Sequence, residues 1–259
     1  GASFESAKMP YRDGRSAVIQ IKKSSDTLTA PLSRPFPTGS QTIEAFVLLR
    51  SYSDEIPMRT ILVADDTRLE HPLWALGVSG KKASSKPQSL VLAMSGTAPG
   101  QPPTLIPSDL VVRLDRPYFV AVVIDTTQGL VTFHVKDISN EDEPLATTQA
   151  KLPSNLNTNR SPTLLSFGAA RNGLHPWDGL IDDVRITQGV LDLDRLALRR
   201  PGLDSRTLGW WAFEPKPSYF KDRSDFGNDI EWRSASTASR ISAQQIAFGD
   251  LCHALLNSS

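Results

Sequence analysis

Cysteine is almost absent: the 259-residue chain has one, Cys252. A single thiol excludes an intrachain disulfide, a CxxC redox pair, a thiolate zinc cage and a CxxCH haem attachment. Long apolar runs are lacking too. No stretch approaches the ~20 consecutive apolar residues that span a bilayer as a helix, so membrane insertion is not expected. Nor is there an excess of charge of one sign, because 28 Lys and Arg offset 28 Asp and Glu. Without a net field the chain has no electrostatic draw toward nucleic acid or anionic lipid. Arg195, Arg199, Arg200 and Arg206 do cluster, but with no binding motif beside them they read as a solvated face. The four histidines, His71, His134, His175 and His253, share no HxxxH spacing. A GxSxG elbow and a GxxxxGK[ST] loop are also missing, which removes the simplest hydrolase and nucleotide-binding readings.

What the sequence has is short β-branched and aromatic runs punctuated by Pro, Gly, Ser, Thr and Asn, the pattern of an antiparallel sandwich. Candidate strands fall at 16–23, 41–51, 59–65, 73–80, 88–95, 109–114, 118–125, 129–137, 145–151, 163–170 and 179–186. QTIEAFVLLRS (41–51) is apolar on both alternating faces, which predicts a central strand covered on each side. The runs 118–125 and 129–137 flank Asp125-Thr126-Thr127-Gln128-Gly129 and predict a hairpin whose glycine takes the left-handed turn conformation. TAPGQPPTLIP (97–107) and PSNLNTNRSPT (153–163) read as loops. LDLDRLALRR (191–200) predicts a short helix capped by Asp192 and stopped by Pro201-Gly202. Another strand is expected at 208–215, where adjacent Trp210 and Trp211 should face opposite sides, and a C-terminal helix after 239, opened by a Ser242-x-x-Gln245 capping box.

Three stretches in order carry a resemblance. TIEAFVLL (42–49), VVIDTTQGLVTFHVKD (122–137) and WDGLIDDVRITQGVLDLDRL (177–196) resemble the early strand, paired strands and closing strand of laminin-G-like, concanavalin A-like lectin and glucanase jelly rolls. GWWAFEPKPSYFKDRSDFGNDIEW (209–232) is similar to the aromatic strand and loop that usually open such a domain, yet here it follows the closing strand. Chain termini usually lie close together, so an edge supplied from the C-terminal side is feasible. The tail AFGDLCHALLNSS (247–259) resembles a segment of planctomycete proteins of unknown function that carry cytochrome-c-like domains. The resemblance implies an all-β, two-sheet antiparallel jelly-roll sandwich over residues 1–232 and a C-terminal helical tail over 233–259. For function it implies a noncatalytic carbohydrate-binding or adhesion module of a larger extracellular or periplasmic protein, with a polysaccharide or glycan and neighbouring domains as partners. A structural or protein-interaction domain that binds no sugar is the alternative.

Chemistry in the residues themselves is sparse. The glucanase spacing E-x-D-x-x-E does not occur, and Glu141-Asp142-Glu143 lies in a polar loop, so no catalytic residue is expected. The resemblance points to a structural calcium ion held by Asp182, with Asp222 and Asn228 of the KDRSDFGNDIEW loop nearby; calcium takes six to eight oxygen ligands. Strict alternation puts Asp182 on the face of Leu180, Val184 and Ile186 and Asp183 on the opposite face, so without a bulge both cannot serve one site. An inward Asp182 needs a partner, either calcium or protein donors such as Arg185, while Asp222 and Asn228 could simply form turns. Sugar recognition uses exposed aromatic faces, and Trp177, ahead of Asp178-Gly179 in a loop, is the carbohydrate-contact candidate.

Overall fold

The computed structural model describes residues 2–5, 9–10, 18–21, 27–98, 101–170, 173–213 and 220–233. The expected C-terminal helix, its capping box, Cys252, His253 and the tail resemblance lie outside the described residues. Among the described residues fifteen strands follow one another: β1 (Ala2–Glu5), β2 (Val18–Ile21), β3 (Thr27–Pro31), β4 (Gln41–Leu49), β5 (Met58–Asp65), β6 (Trp74–Ser79), β7 (Ser89–Met94), β8 (Thr104–Val111), β9 (Pro117–Asp125), β10 (Leu130–Asp137), β11 (Ala146–Lys151), β12 (Leu164–Phe167), β13 (Gly179–Gln188), β14 (Thr207–Trp211) and β15 (Glu231–Arg233). They form two antiparallel sheets, which together make an all-β jelly-roll sandwich. The first runs β1-β2-β13-β4-β9-β10-β11 with β14 also on β13; the second runs β15-β3-β12-β5-β6-β7-β8.

Alternating side chains of both sheets fill the space between them. Ile43, Val47, Val120 and Phe133 from the first sheet meet Ile61, Leu76, Leu92 and Phe167 from the second. The opposite faces of β4 and β9 are buried as well, because Phe46, Leu48 and Phe119 pack under Met9, Leu191 and Leu196 on the outside of the first sheet. This is why QTIEAFVLL is apolar on both faces: β4 sits between β13 and β9 with a layer above and below it. The hairpin forms as expected. Asp125 pairs with Leu130, Asp125 Oδ1 accepts the amides of Thr127 and Gln128, and Gly129 has φ of +66°.

The segment after the closing strand completes both sheets. Thr207–Trp211 pairs with β13 and Glu231–Arg233 with β3, so the late aromatic stretch spans the sandwich edge from one sheet to the other. Trp211 is buried in the inter-sheet core and Trp210 lies half-buried on the outer face, as their adjacency requires.

Three expectations are corrected. The helix at 191–200 is a single 3-10 turn, Leu193–Arg195, and Asp192 makes no side-chain cap. The Arg195 carbonyl, which in a helix would accept the Arg199 amide, is taken by Arg185. The loop at 97–107 ends early, since β8 begins at Thr104; Pro107 is accommodated because β8 is an edge strand, where no ladder amide is needed on the open side. β3 was not anticipated, since the threonines of TLTAP hide the alternation that puts Leu28 and Ala30 into the core.

An ion pair fastens the outer layer. Arg185 and Glu44 are cross-strand neighbours with 1% and 0% exposure, and Nε and Nη2 of Arg185 both lie 2.7 Å from Glu44 Oε2. Glu44 Oε1 accepts the Ala197 amide at 2.6 Å, and Arg185 donates to the carbonyls of Arg195 at 2.8 Å, Gly202 at 2.7 Å and Arg200 at 3.4 Å. Burial pushes the Glu44 carboxyl above its ordinary 4.5, against the opposing pull of Arg185 and the Ala197 amide. Removing one partner strands the other charge in the interior. Arg185→Met is expected to lower stability in urea denaturation by about 3–5 kcal/mol, and Glu44→Met with Arg185→Met to recover much of that loss. A double variant as unstable as the sum of the singles would contradict a paired role.

Candidate functional site

The closing strand departs from strict alternation at the two aspartates. In the ladder with β4, Asp182 lies opposite Phe46 and the next pair is Arg185 with Glu44, so the extra residues form a β-bulge. Asp183 takes φ of +51°, a left-handed conformation rare outside glycine. The bulge resets the phase: Ile181, Val184 and Ile186 all face the inter-sheet core, whereas Leu180 belongs to the outer layer. Asp182 therefore shares the outer face with Leu180 and Arg185. The expected grouping with Val184 and Ile186 is corrected, because the inserted residue switches faces between them. Both carboxylates are buried, at 0% and 2% exposure. Asp183 Oδ1 accepts the Trp210 indole N–H at 2.6 Å, and the Arg223 guanidinium stacks over that ring at 5.1 Å. Arg185 is committed to Glu44.

Asp222 and Asn228 hold a turn. Asp222 Oδ1 accepts the amides of Trp210 and Ser224, each at 2.9 Å; its Oδ2 accepts the Ser224 hydroxyl at 2.8 Å and the Asn228 amide at 2.9 Å. Four donors fill the lone-pair sites of a carboxylate. Asn228 Oδ1 accepts the Ser33 amide at 3.1 Å and hydroxyl at 3.2 Å, which ties the loop to the end of β3. Oxygens so engaged do not fit a calcium shell. Among the described residues no group of three or more His, Cys, Asp or Glu side chains is arranged to hold a metal.

Trp177 is fully buried in the main core, its indole N–H donating to the Leu180 carbonyl at 3.2 Å. A ring packed on both faces has none left for a sugar, so its placement corrects the expected carbohydrate contact. His134 is likewise a packed sheet residue: it is 4% exposed, bonds Thr147 Oγ1 through Nδ1 at 2.9 Å, and is held below the usual histidine range by burial.

A concave surface lies instead on the outer face of the second sheet. Val63, Ala75, Ala93 and Leu105 pair in register across β5, β6, β7 and β8, so one outward row runs over four strands. The two central members are alanines, and the row is therefore a trough. Gly77 follows on the same face of β6, where a Cβ would stand 2.2 Å from the Arg59 carbonyl. The resulting groove is about 540 Å³, with Glu70, His71, Lys82, Ser84, Leu174 and His175 in its walls.

A second irregularity positions one wall. The β5 ladder shifts register between Thr60 and Leu62, and the freed Thr60 amide donates to the His175 carbonyl at 3.0 Å. Arg59 Nη1 donates to the Pro176 carbonyl at 2.7 Å, which pins the same loop. His175 has φ of +56°, and burial holds its imidazole below the usual histidine range. Sequence reading missed the groove. Its signal was the alanines of WALGVS and SLVLAM, each two residues from a glycine or a valine on the outward face; only the strand register places them side by side.

No family model matches the chain, and no curated protein sequence matches it. Solved structures do. Tailspike protein 2 of the Escherichia coli O157:H7 bacteriophage CAB120 aligns with TM-score 0.57 and 13% identity, over 82% of this chain and 28% of that one. A Bacteroides ovatus protein provisionally assigned as carbohydrate-binding aligns with TM-score 0.54 and 14% identity, over 86% and 64%. The heptameric SAP-like pentraxin of Limulus polyphemus aligns with TM-score 0.52 and 9% identity, over 83% and 93%. The chain thus spans less than two thirds of the tailspike and of the Bacteroides protein. At these identities the likeness defines the class by its fold, a jelly-roll sandwich.

The turn held by Asp222 gives a direct check on metal. Asp222→Ala leaves four donors without their acceptor, three of them backbone amides, and should cost roughly 3 kcal/mol or more. Thermal melts of the unsubstituted chain should coincide in EGTA and in millimolar calcium. A calcium-dependent rise in Tm that Asp222→Ala abolishes would show a metal site there.

Proposed function

We propose that the chain is a noncatalytic carbohydrate-binding or adhesion module of a larger extracellular or periplasmic protein, with its glycan seated in the groove on the second sheet. The observation that carries this reading is the trough over Val63, Ala75, Ala93 and Leu105, a groove of about 540 Å³ on the outer face of the second sheet. That volume falls in the range of about 300–1,000 Å³ typical of small-ligand sites. A sugar ring has an apolar C–H face and a rim of hydroxyls. The aliphatic floor suits the first, and the polar groups of Glu70, His71, Lys82, Ser84 and His175 suit the second. Neighbouring domains of the longer protein would be its other partners.

The groove also has a feature that favours the structural or protein-interaction reading. Among the described residues no Trp, Tyr or Phe lines it, and Leu174 on its wall is 55% exposed. Sugar affinity here would rest on hydrogen bonds and aliphatic contact, whereas an apolar peptide would gain from Leu174 directly.

A glycan array probed with the purified chain separates these readings. Binding to a defined polysaccharide class is expected, and Ala93→Phe, which fills the trough floor, should weaken it at least about tenfold with the thermal melt unchanged. Silence across the array, or binding indifferent to Ala93→Phe, would overturn the assignment of the groove to a glycan.

A further inference from the structure

A separate pocket lies on the other side of the sandwich, over the first sheet. Between the 3-10 turn and β14 the chain wraps the buried Arg185, turning the carbonyls of Arg195, Arg200 and Gly202 onto its guanidinium. The carbonyls of this loop are thus committed inward to one cation, and Glu44 balances that cation's charge. The wrapping leaves a pocket of about 220 Å³ lined by Arg185, Arg195, Arg200, Leu203, Asp204 and Ser205.

The charges there do not cancel. Among the described residues Asp204 is the one carboxylate lining the pocket, with its side chain 8% exposed. It accepts the Arg206 amide at 3.0 Å, pairs with the Arg195 guanidinium, and lies 3.5 Å from Arg206 Nε. Burial opposes its ionisation, but the Arg206 amide and the Arg195 and Arg206 guanidiniums outweigh that and hold its carboxyl below the usual range. Arg199 is answered by Asp194 at 3.1 Å. Arg195 and Arg206 therefore share one carboxylate, and no described carboxylate pairs with Arg200, in a chain whose formal charges sum to +0. Arg200 is exposed at the pocket wall, and Ser205 is exposed in the same lining.

We propose that this pocket binds an oxyanion, the carboxylate or sulfate group of an acidic ligand. Arg195 and Arg200 supply forked guanidinium donors, Ser205 a hydroxyl, and Arg185 with its carbonyl partners fixes the loop that presents them. Guanidinium forks match carboxylate and sulfate oxygens two at a time, which an ammonium group does not. The pocket and the glycan groove lie on opposite sheets, so this inference stands independently of the one above.

Calorimetric titration of the chain with sodium sulfate and with glucuronate, at ionic strength held constant by sodium chloride, tests it. Saturable binding is expected, weakened at least about tenfold by Arg200→Ala and by Arg195→Ala, the loss of one charge-assisted contact each. Lys151→Ala, which removes an exposed charge on β11, should leave it unchanged. Glucuronate bound more tightly than sulfate would identify an acidic saccharide as the source of the anion; sulfate bound more tightly would identify a sulfate group or free inorganic ion. No saturable binding of either, or binding that Arg200→Ala does not alter while its melt matches the unsubstituted chain, would overturn the proposal.

Discussion

The pairing of Glu44 with Arg185 organises the outside of the first sheet. Two charges removed from water cost several kcal/mol each, and only close geometry with further hydrogen bonds repays that. Here one carboxylate oxygen takes the guanidinium and the other takes the Ala197 amide, while three loop carbonyls complete the arginine. The segment after β13 cannot lift away without stranding both ions. It is therefore held down with Leu191, Leu196 and Ala197 sealed over Phe46, Leu48 and Phe119. One sheet is thus covered on both faces. The groove lies on the other side of the sandwich, over the outside of the second sheet.

The bulge in β13 is the local condition for that pair. It switches the strand's phase so that Val184 and Ile186 fill the inter-sheet core while Arg185 turns out to meet Glu44. Asp183, in its left-handed conformation, absorbs the extra residue and anchors Trp210 of the neighbouring strand. Trp210 in turn gives its amide to Asp222, whose turn leads to β15 on the other sheet. A continuous chain of contacts thus runs from Asp183 to the strand that closes the second sheet. Asp183 is a structural joint.

Much of this fold was legible from alternation alone. QTIEAFVLL announced a strand buried on both sides, the Asp125–Gly129 turn announced its hairpin, and adjacent Trp210 and Trp211 divided between core and outer face. The closing stretch showed its resemblance but not its geometry, because alternation assumes that no residue is inserted, and a bulge of one residue reverses every assignment after it. Trp177 was misplaced for a related reason. A tryptophan ahead of Asp-Gly looks like a loop residue, yet its indole N–H finds a carbonyl three residues on and the ring closes the core. The groove was illegible for a different cause: Ala75 and Ala93 are unremarkable in sequence and become a trough only through cross-strand register.

Amide chemical-shift mapping during titration with an oligosaccharide tests most directly which face of the sandwich the protein uses. The account predicts that shifts concentrate at Val63, Ala75, Ala93 and the loop at 173–176, with Trp177 and Asp182 unmoved. Shifts confined to the closing strand and its rim, with the second sheet silent, would contradict it.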